Sequence, residues 1–223
     1  MSDSIKAFDK VAGSYDSWYA EAKGRQVFDA ERRAVDMFLP EGGLGLEIGA
    51  GTGIFAESLA KASRPIVCLD ASKEMLTQAK KRGAPTILGS AQSLPLRGGC
   101  LGFAYMITAV EFLPDPQGAF KEAYTALRAD SPLIVLFINK ASAWGELYRR
   151  MGENGDPVFS HAHLYSDDEM SDILVSSGLC VSEKLGTLTS GPSQTGGDEI
   201  TAPSGRTGVI VIKAVKAREA KFY

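Results

Sequence analysis

The stretch Leu46-Glu47-Ile48-Gly49-Ala50-Gly51-Thr52-Gly53 limits what this chain can fold into more than any other. A short apolar run, 44–48, enters it. A segment of helical spacing, 54–62, leaves it, with Phe55, Leu59 and Ala62 on one face. In that setting Gly49 permits a tight strand-to-helix turn, Gly51 lets a ligand approach the backbone, and Gly53 allows close helix–strand contact. The bland alternative is a turn that only turns.

The unit repeats along the middle of the chain. Strands are predicted at 65–69, 86–88, 101–107 and 133–138, and helices at 72–82 and 116–127. The strand at 133–138 is apolar throughout, which marks burial on both faces rather than one. Alternation of this kind builds right-handed βαβ units and a doubly wound α/β sheet. Residues 5–37 read as one or two helices carrying Phe8, Tyr15, Trp18 and Tyr19, and 139–166 are mixed. A helix is expected over 167–177, with Ser166 as N-cap and Gly178 as stop. Strands are expected at 179–185 and 209–215. Between them, 188–208 has loop composition, two thirds of it Gly, Pro, Ser or Thr. A loop this long in a compact domain suggests mobility or function. One domain, 1–223, accommodates the whole.

Composition removes whole classes. Lys plus Arg number 24 against 27 Asp plus Glu, a net charge of −3, which argues against a surface built for nucleic-acid phosphates. The longest clean apolar run, 132–138, falls far short of the roughly 20 residues of a membrane span. Cys68, Cys100 and Cys180 show no metal spacing and read as reduced cytoplasmic thiols. No metal is expected.

The glycine turn departs from a nicotinamide-binding pattern. Ile54 stands where that pattern wants its third glycine, and Glu47 would repel a pyrophosphate but suit an ammonium group. Asp70, closing the second strand, can accept hydrogen bonds from both hydroxyls of a ribose. Its plainer alternative is a charge at a helix N-terminus.

At these motifs the sequence resembles the class I S-adenosylmethionine-dependent methyltransferases. It is most similar to the small-molecule branch that includes the ubiquinone/menaquinone C-methyltransferases. The resemblance rests on LEIGAGTG, on Leu69-Asp70-Ala71-Ser72-Lys73-Glu74-Met75-Leu76, on 88–96 and 107–116, and on Ala7–Asp16, which resembles that branch's lid helix. It implies a seven-stranded, mostly parallel sheet of order 3-2-1-4-5-7-6 with the last strand antiparallel. N-terminal lid helices over 1–40 and a mobile 188–208 loop beside the acceptor complete the layout.

The resemblance also implies roles. Gly49, Ala50 and Gly51 face the methionine part of the cofactor, S-adenosyl-L-methionine, and Glu47 supports its ammonium group. Asp70 binds the ribose, and Ala71 and Met75 line the adenine. Ser90, Ala91 and Gln92 approach the adenine edge. The family commonly has Asp-Ala-Glu there, so charge assistance is missing. Ile107 and Thr108 lie near the ammonium and sulfonium, and Tyr15 covers the cofactor. Glu111, His161 and His163 are the candidate catalytic residues. The implied activity is methyl transfer to the O, N or C of a small molecule. The alternative is a cofactor-binding protein without transfer activity.

Overall fold

The computed structural model describes residues 2–216 except 195 and 197. The ends of the expected 1–223 domain and two positions of the 188–208 loop therefore lie outside the described residues. Seven strands form one sheet in the order β3-β2-β1-β4-β5-β7-β6. These are β1 Gly45–Ile48, β2 Ile66–Asp70, β3 Thr86–Leu88, β4 Phe103–Ile107, β5 Pro132–Ile138, β6 Leu179–Thr187 and β7 Val209–Lys216. β1 to β5 are parallel. β7 runs antiparallel to both β5 and β6, so β6 is again parallel to the rest. The expected order and the reversed last strand are both present.

Helices cover both faces. On one side α6 (Pro116–Ala126) and α8 (Asp167–Ser176) bury Phe120, Met170 and Leu174 against the sheet. On the other, α3 (Ala22–Asp36), α4 (Ile54–Leu59) and α5 (Lys73–Lys81) contribute Val27, Ala34, Phe55 and Leu76. β4 and β5 lie between these two cores and are buried at every position, which is why they lack alternation. Ser166 and Glu169 form a full capping box on α8, and Gly178 closes it with φ +87°.

Three features depart from the sequence reading. The N-terminal segment holds three helices, α1 (Asp3–Val11), α2 (Ser17–Ala20) and α3. α4 ends at Leu59, earlier than expected, because Lys61 and Arg64 pair across a turn that sends the chain into β2. The region read as mixed contains α7, Ala143–Glu153, capped by Ser142, whose hydroxyl accepts from the Gly145 amide at 3.0 Å. Among the described residues, no helix is long and apolar enough to cross a membrane.

Candidate active site

At the carboxyl ends of the parallel strands lie two adjoining cavities. The first, about 120 Å³, surrounds the glycine turn. Its wall includes Glu47, Gly49, Ala50, Gly51, Asp70, Ala71, Met75, Ala91, Ile107, Thr108 and Tyr15. Eleven of the thirteen cofactor residues expected from sequence are thus brought together. Ser90 and Gln92 are not in that wall; the Ser90 hydroxyl donates to Gln92 Oε1 at 3.1 Å instead.

Local geometry explains the turn. Gly49 has φ +73°, and a Cβ there would lie 2.5 Å from the Ala109 Cβ. Asp70 braces the loop, with Oδ2 accepting from the Gly51 amide at 2.7 Å and Oδ1 from the Ser72 amide at 2.8 Å. Burial pushes the Asp70 carboxyl up, and those backbone donors oppose the shift. The carboxyl keeps acceptor capacity for a further donor. Glu47 is buried, and burial pushes it up to about 8 despite the Tyr105 hydroxyl donating to Oε2 at 3.1 Å. Thr108 adopts φ +43°, a left-handed conformation uncommon for a β-branched residue, where β4 meets the cavity.

The N-terminal helices close over this cavity, with Ser4, Ile5 and Phe8 in its wall. Two acids latch them down. Asp9 Oδ1 accepts from the Ser72 hydroxyl at 2.6 Å. Asp16 accepts from the Thr52 hydroxyl and from Arg82 Nη2, each at 2.6 Å.

The second cavity, about 510 Å³, is walled by aromatic rings from α1, α2 and α7 and the turn at 159. Thr108, Tyr15, Tyr19, Phe8 and Phe112 line both cavities, so the two meet there. Three residues that the sequence reading passed over belong to this wall. Trp144 and Tyr148 sit on α7, where Trp144, Leu147, Tyr148 and Met151 recur at helical spacing. Glu31 sits on the apolar face of α3 among Val27, Ala30 and Ala34, only 4% exposed. A carboxylate on an otherwise apolar helical stripe was the available signal.

The expected catalytic set is placed differently. Glu111 is buried in a 3₁₀ turn, Val110–Phe112. Its Oε1 accepts from the Ile138 amide at 2.7 Å, and Oε2 has no partner among the described residues. Burial pushes it up to about 7. His161 and His163 are exposed and border a separate surface hollow with Glu111 and Phe112, outside both deep cavities. Among the described residues, no three His, Cys, Asp or Glu side chains gather as a metal site would require.

Comparison with known proteins fits this geometry. Residues 46–135 match the family described as methyltransferase domain. A Thermotoga maritima protein of known structure is 30% identical over 96% of this chain and 99% of its own, with a TM-score of 0.85. It is described as a SAM-dependent methyltransferase, possible histamine N-methyltransferase.

The chain belongs to the S-adenosylmethionine-dependent methyltransferases.

An uncharacterized protein of Methanocaldococcus jannaschii is 28% identical to this methyltransferase over 95% of the chain and 100% of its own length. A malonyl-[acyl-carrier protein] O-methyltransferase of Pectobacterium atrosepticum is 33% identical over 55% of this chain and 48% of its own. S-adenosyl-L-methionine is the methyl donor, and the chemistry of the glycine-turn cavity fits it. Gly51 leaves open backbone, its nearest outside atom being the Met75 sulfur 4.0 Å from a built Cβ. Glu47 offers a carboxylate, and Asp70 spare acceptor lone pairs.

Proposed function

We propose that the methyltransferase acts on a small molecule held in the aromatic cavity, with the donor in the glycine-turn cavity. The observation that carries this reading is their shared wall at Thr108, Tyr15 and Phe112. When bound, the donor supplies a methyl group already activated by a positive sulfur. Transfer is then an in-line displacement, and most of the protein's work is positioning. Gly49, Ala50 and Gly51 present the turn's backbone, Glu47 meets the ammonium group, and Asp70 takes the ribose hydroxyls. Ala71, Met75 and Ala91 pack the adenine, and Ile107 and Thr108 border the methyl end. Tyr15 closes the site, its ring face suited to a sulfonium cation. Glu111 fixes the end of β5 through the Ile138 amide.

The N-terminal helices act as the lid. The Asp9 and Asp16 contacts hold them over the glycine-turn cavity. The 188–208 loop borders the acceptor. Pro192 lines the aromatic cavity, and the Trp144 indole donates to the Ser190 carbonyl at 2.9 Å. The likeness of Ala7–Asp16 to quinone C-methyltransferases supports the lid and says less about the acceptor. The Thermotoga relative's description puts amines first among acceptors to try. Three free cysteines support a reducing, cytoplasmic setting, and the net charge of −3 disfavours a nucleic-acid substrate.

The test is release of S-adenosylhomocysteine from purified protein across a panel of small amines, phenols and quinones. Acceptor-dependent release is expected. Donor binding with no release from any acceptor would favour a binding protein without transfer activity.

A further inference from the structure

The aromatic cavity contains an acid that nothing in the protein answers. Glu31 is in its wall and 4% exposed, its carboxyl oxygens open to the cavity, yet no hydrogen bond or ion pair reaches it among the described residues. The charge that bears on it most is another acid, Glu111, which repels it. The other charged side chains of the wall are committed elsewhere. Lys23 donates to the Gly191 and Gln194 carbonyls and lies 5.1 Å from the centre of the Trp144 ring. Asp156 Oδ1 accepts from the Val158 and Phe159 amides, both at 2.9 Å.

An unpaired acid in a largely apolar cavity is costly, and a more stable fold would place an aliphatic residue at this point of the stripe. Its surroundings indicate what offsets the cost. Tyr15, Trp18, Tyr19, Tyr148 and Phe159 enclose the same space. Aromatic faces attract an organic cation, most strongly where water is excluded. A carboxylate with ring faces around it is a receptor for an ammonium group carried on an apolar body. Neutral phenols and quinones would gain from the rings but leave Glu31 unanswered.

We propose that the acceptor is a small molecule carrying an ammonium group, with Glu31 the residue that selects it by receiving that group; an ammonium nitrogen has no lone pair, so the methyl group goes to another nucleophilic atom of the same molecule. This deepens the proposed function and rests on the aromatic cavity being the acceptor site.

The test is direct binding, separate from turnover. Tryptamine and phenethylamine are compared with their alcohol isosteres, tryptophol and 2-phenylethanol, by calorimetry on the full chain saturated with S-adenosylhomocysteine. The wild type is expected to prefer each amine by tenfold or more. Glu31→Gln keeps shape and loses charge, so it should abolish the preference while leaving S-adenosylhomocysteine affinity unchanged. Glu31→Asp should retain part of the preference. Equal affinity for amine and alcohol, no amine binding, or an undiminished preference in Glu31→Gln would overturn the proposal. Charge-dependent amine binding with no methyl transfer would leave the selection of ammonium groups by Glu31 standing and count against the proposed function alone.

Discussion

Asp16, in the segment joining the first two helices, accepts a hydrogen bond from the buried Thr52 hydroxyl of the glycine turn at 2.6 Å. The same carboxylate pairs with Arg82, which also pairs with Glu57 at the start of α4. The N-terminal segment, the turn and the helix after the turn are therefore tied at one point.

Asp16→Ala should loosen that closure. Loss of a charge-assisted hydrogen bond is worth about tenfold in affinity, so the dissociation constant for S-adenosylmethionine should rise by about that factor. Thr52→Val should act in the same direction and less. Calorimetric titration checks both, and unchanged donor affinity in Asp16→Ala would show that the latch has no part in binding.

Gly49 and Gly155 separate backbone strain from crowding. Both have positive φ, +73° and +81°, but a Cβ at Gly49 meets Ala109 at 2.5 Å, whereas one at Gly155 meets nothing within 4 Å. Gly155→Ala should cost about 1 kcal/mol, the left-handed penalty alone. Gly49→Ala should cost at least about 2 kcal/mol and abolish donor binding, since displacing Ala109 disturbs the turn. Urea denaturation with donor titration distinguishes them; equal costs would refute the crowding account.

Three buried acids give the protein a pH dependence of definite sign. Burial pushes Glu31 and Glu47 up to about 8 and Glu111 to about 7, from 4.5. Between pH 4.5 and 8 the folded protein holds protons that the unfolded chain has released. Stability without ligand should therefore fall as pH rises through that window. Glu47→Gln should flatten the decline in melting temperature. S-adenosylmethionine brings a positive ammonium group to Glu47, so binding below pH 8 should release a proton. Calorimetry in buffers of different ionisation heat measures it, and zero release at pH 6.5 would contradict the placement of Glu47.

Arg64 carries structural weight away from the site. It is 1% exposed and donates to Asp36 Oδ1 at 2.6 Å, to the Leu59 carbonyl at 2.7 Å and to the Pro40 carbonyl at 3.2 Å. Arg64→Ala strands all three acceptors and should destabilise the fold by about 3 kcal/mol. A loss under about 1 kcal/mol would mean that water replaces it.

Much of the site was legible because its signals are local. Left-handed glycines, a strand-ending Asp and an N-cap Ser act within a few residues, so adjacent letters carry them. α7 was not legible, although Trp144, Leu147, Tyr148 and Met151 have helical spacing. Gly145 and Gly152 weaken a helix in isolation. Their reason is tertiary: a Cβ at Gly145 would lie 2.4 Å from the Asn139 carbonyl oxygen, and one at Gly152 2.6 Å from that of Phe159. Ser90 and Gln92 were expected at the cofactor, but their side chains bond to each other and only Ala91 of the three lines the cavity.

By itself, then, the sequence determined the doubly wound α/β sheet and the glycine turn, since hydrophobic period and glycine placement are short-range properties, while the strand order followed from the family resemblance. Only the tertiary structure decided what the acceptor meets. Glu31, Tyr148 and Thr108 lie far apart in the chain, and α3, α7 and β4 bring them to one enclosure. Whether a carboxylate on a helix faces water or a closed aromatic space depends on what packs opposite it. That is fixed by long-range contacts, which no local pattern encodes.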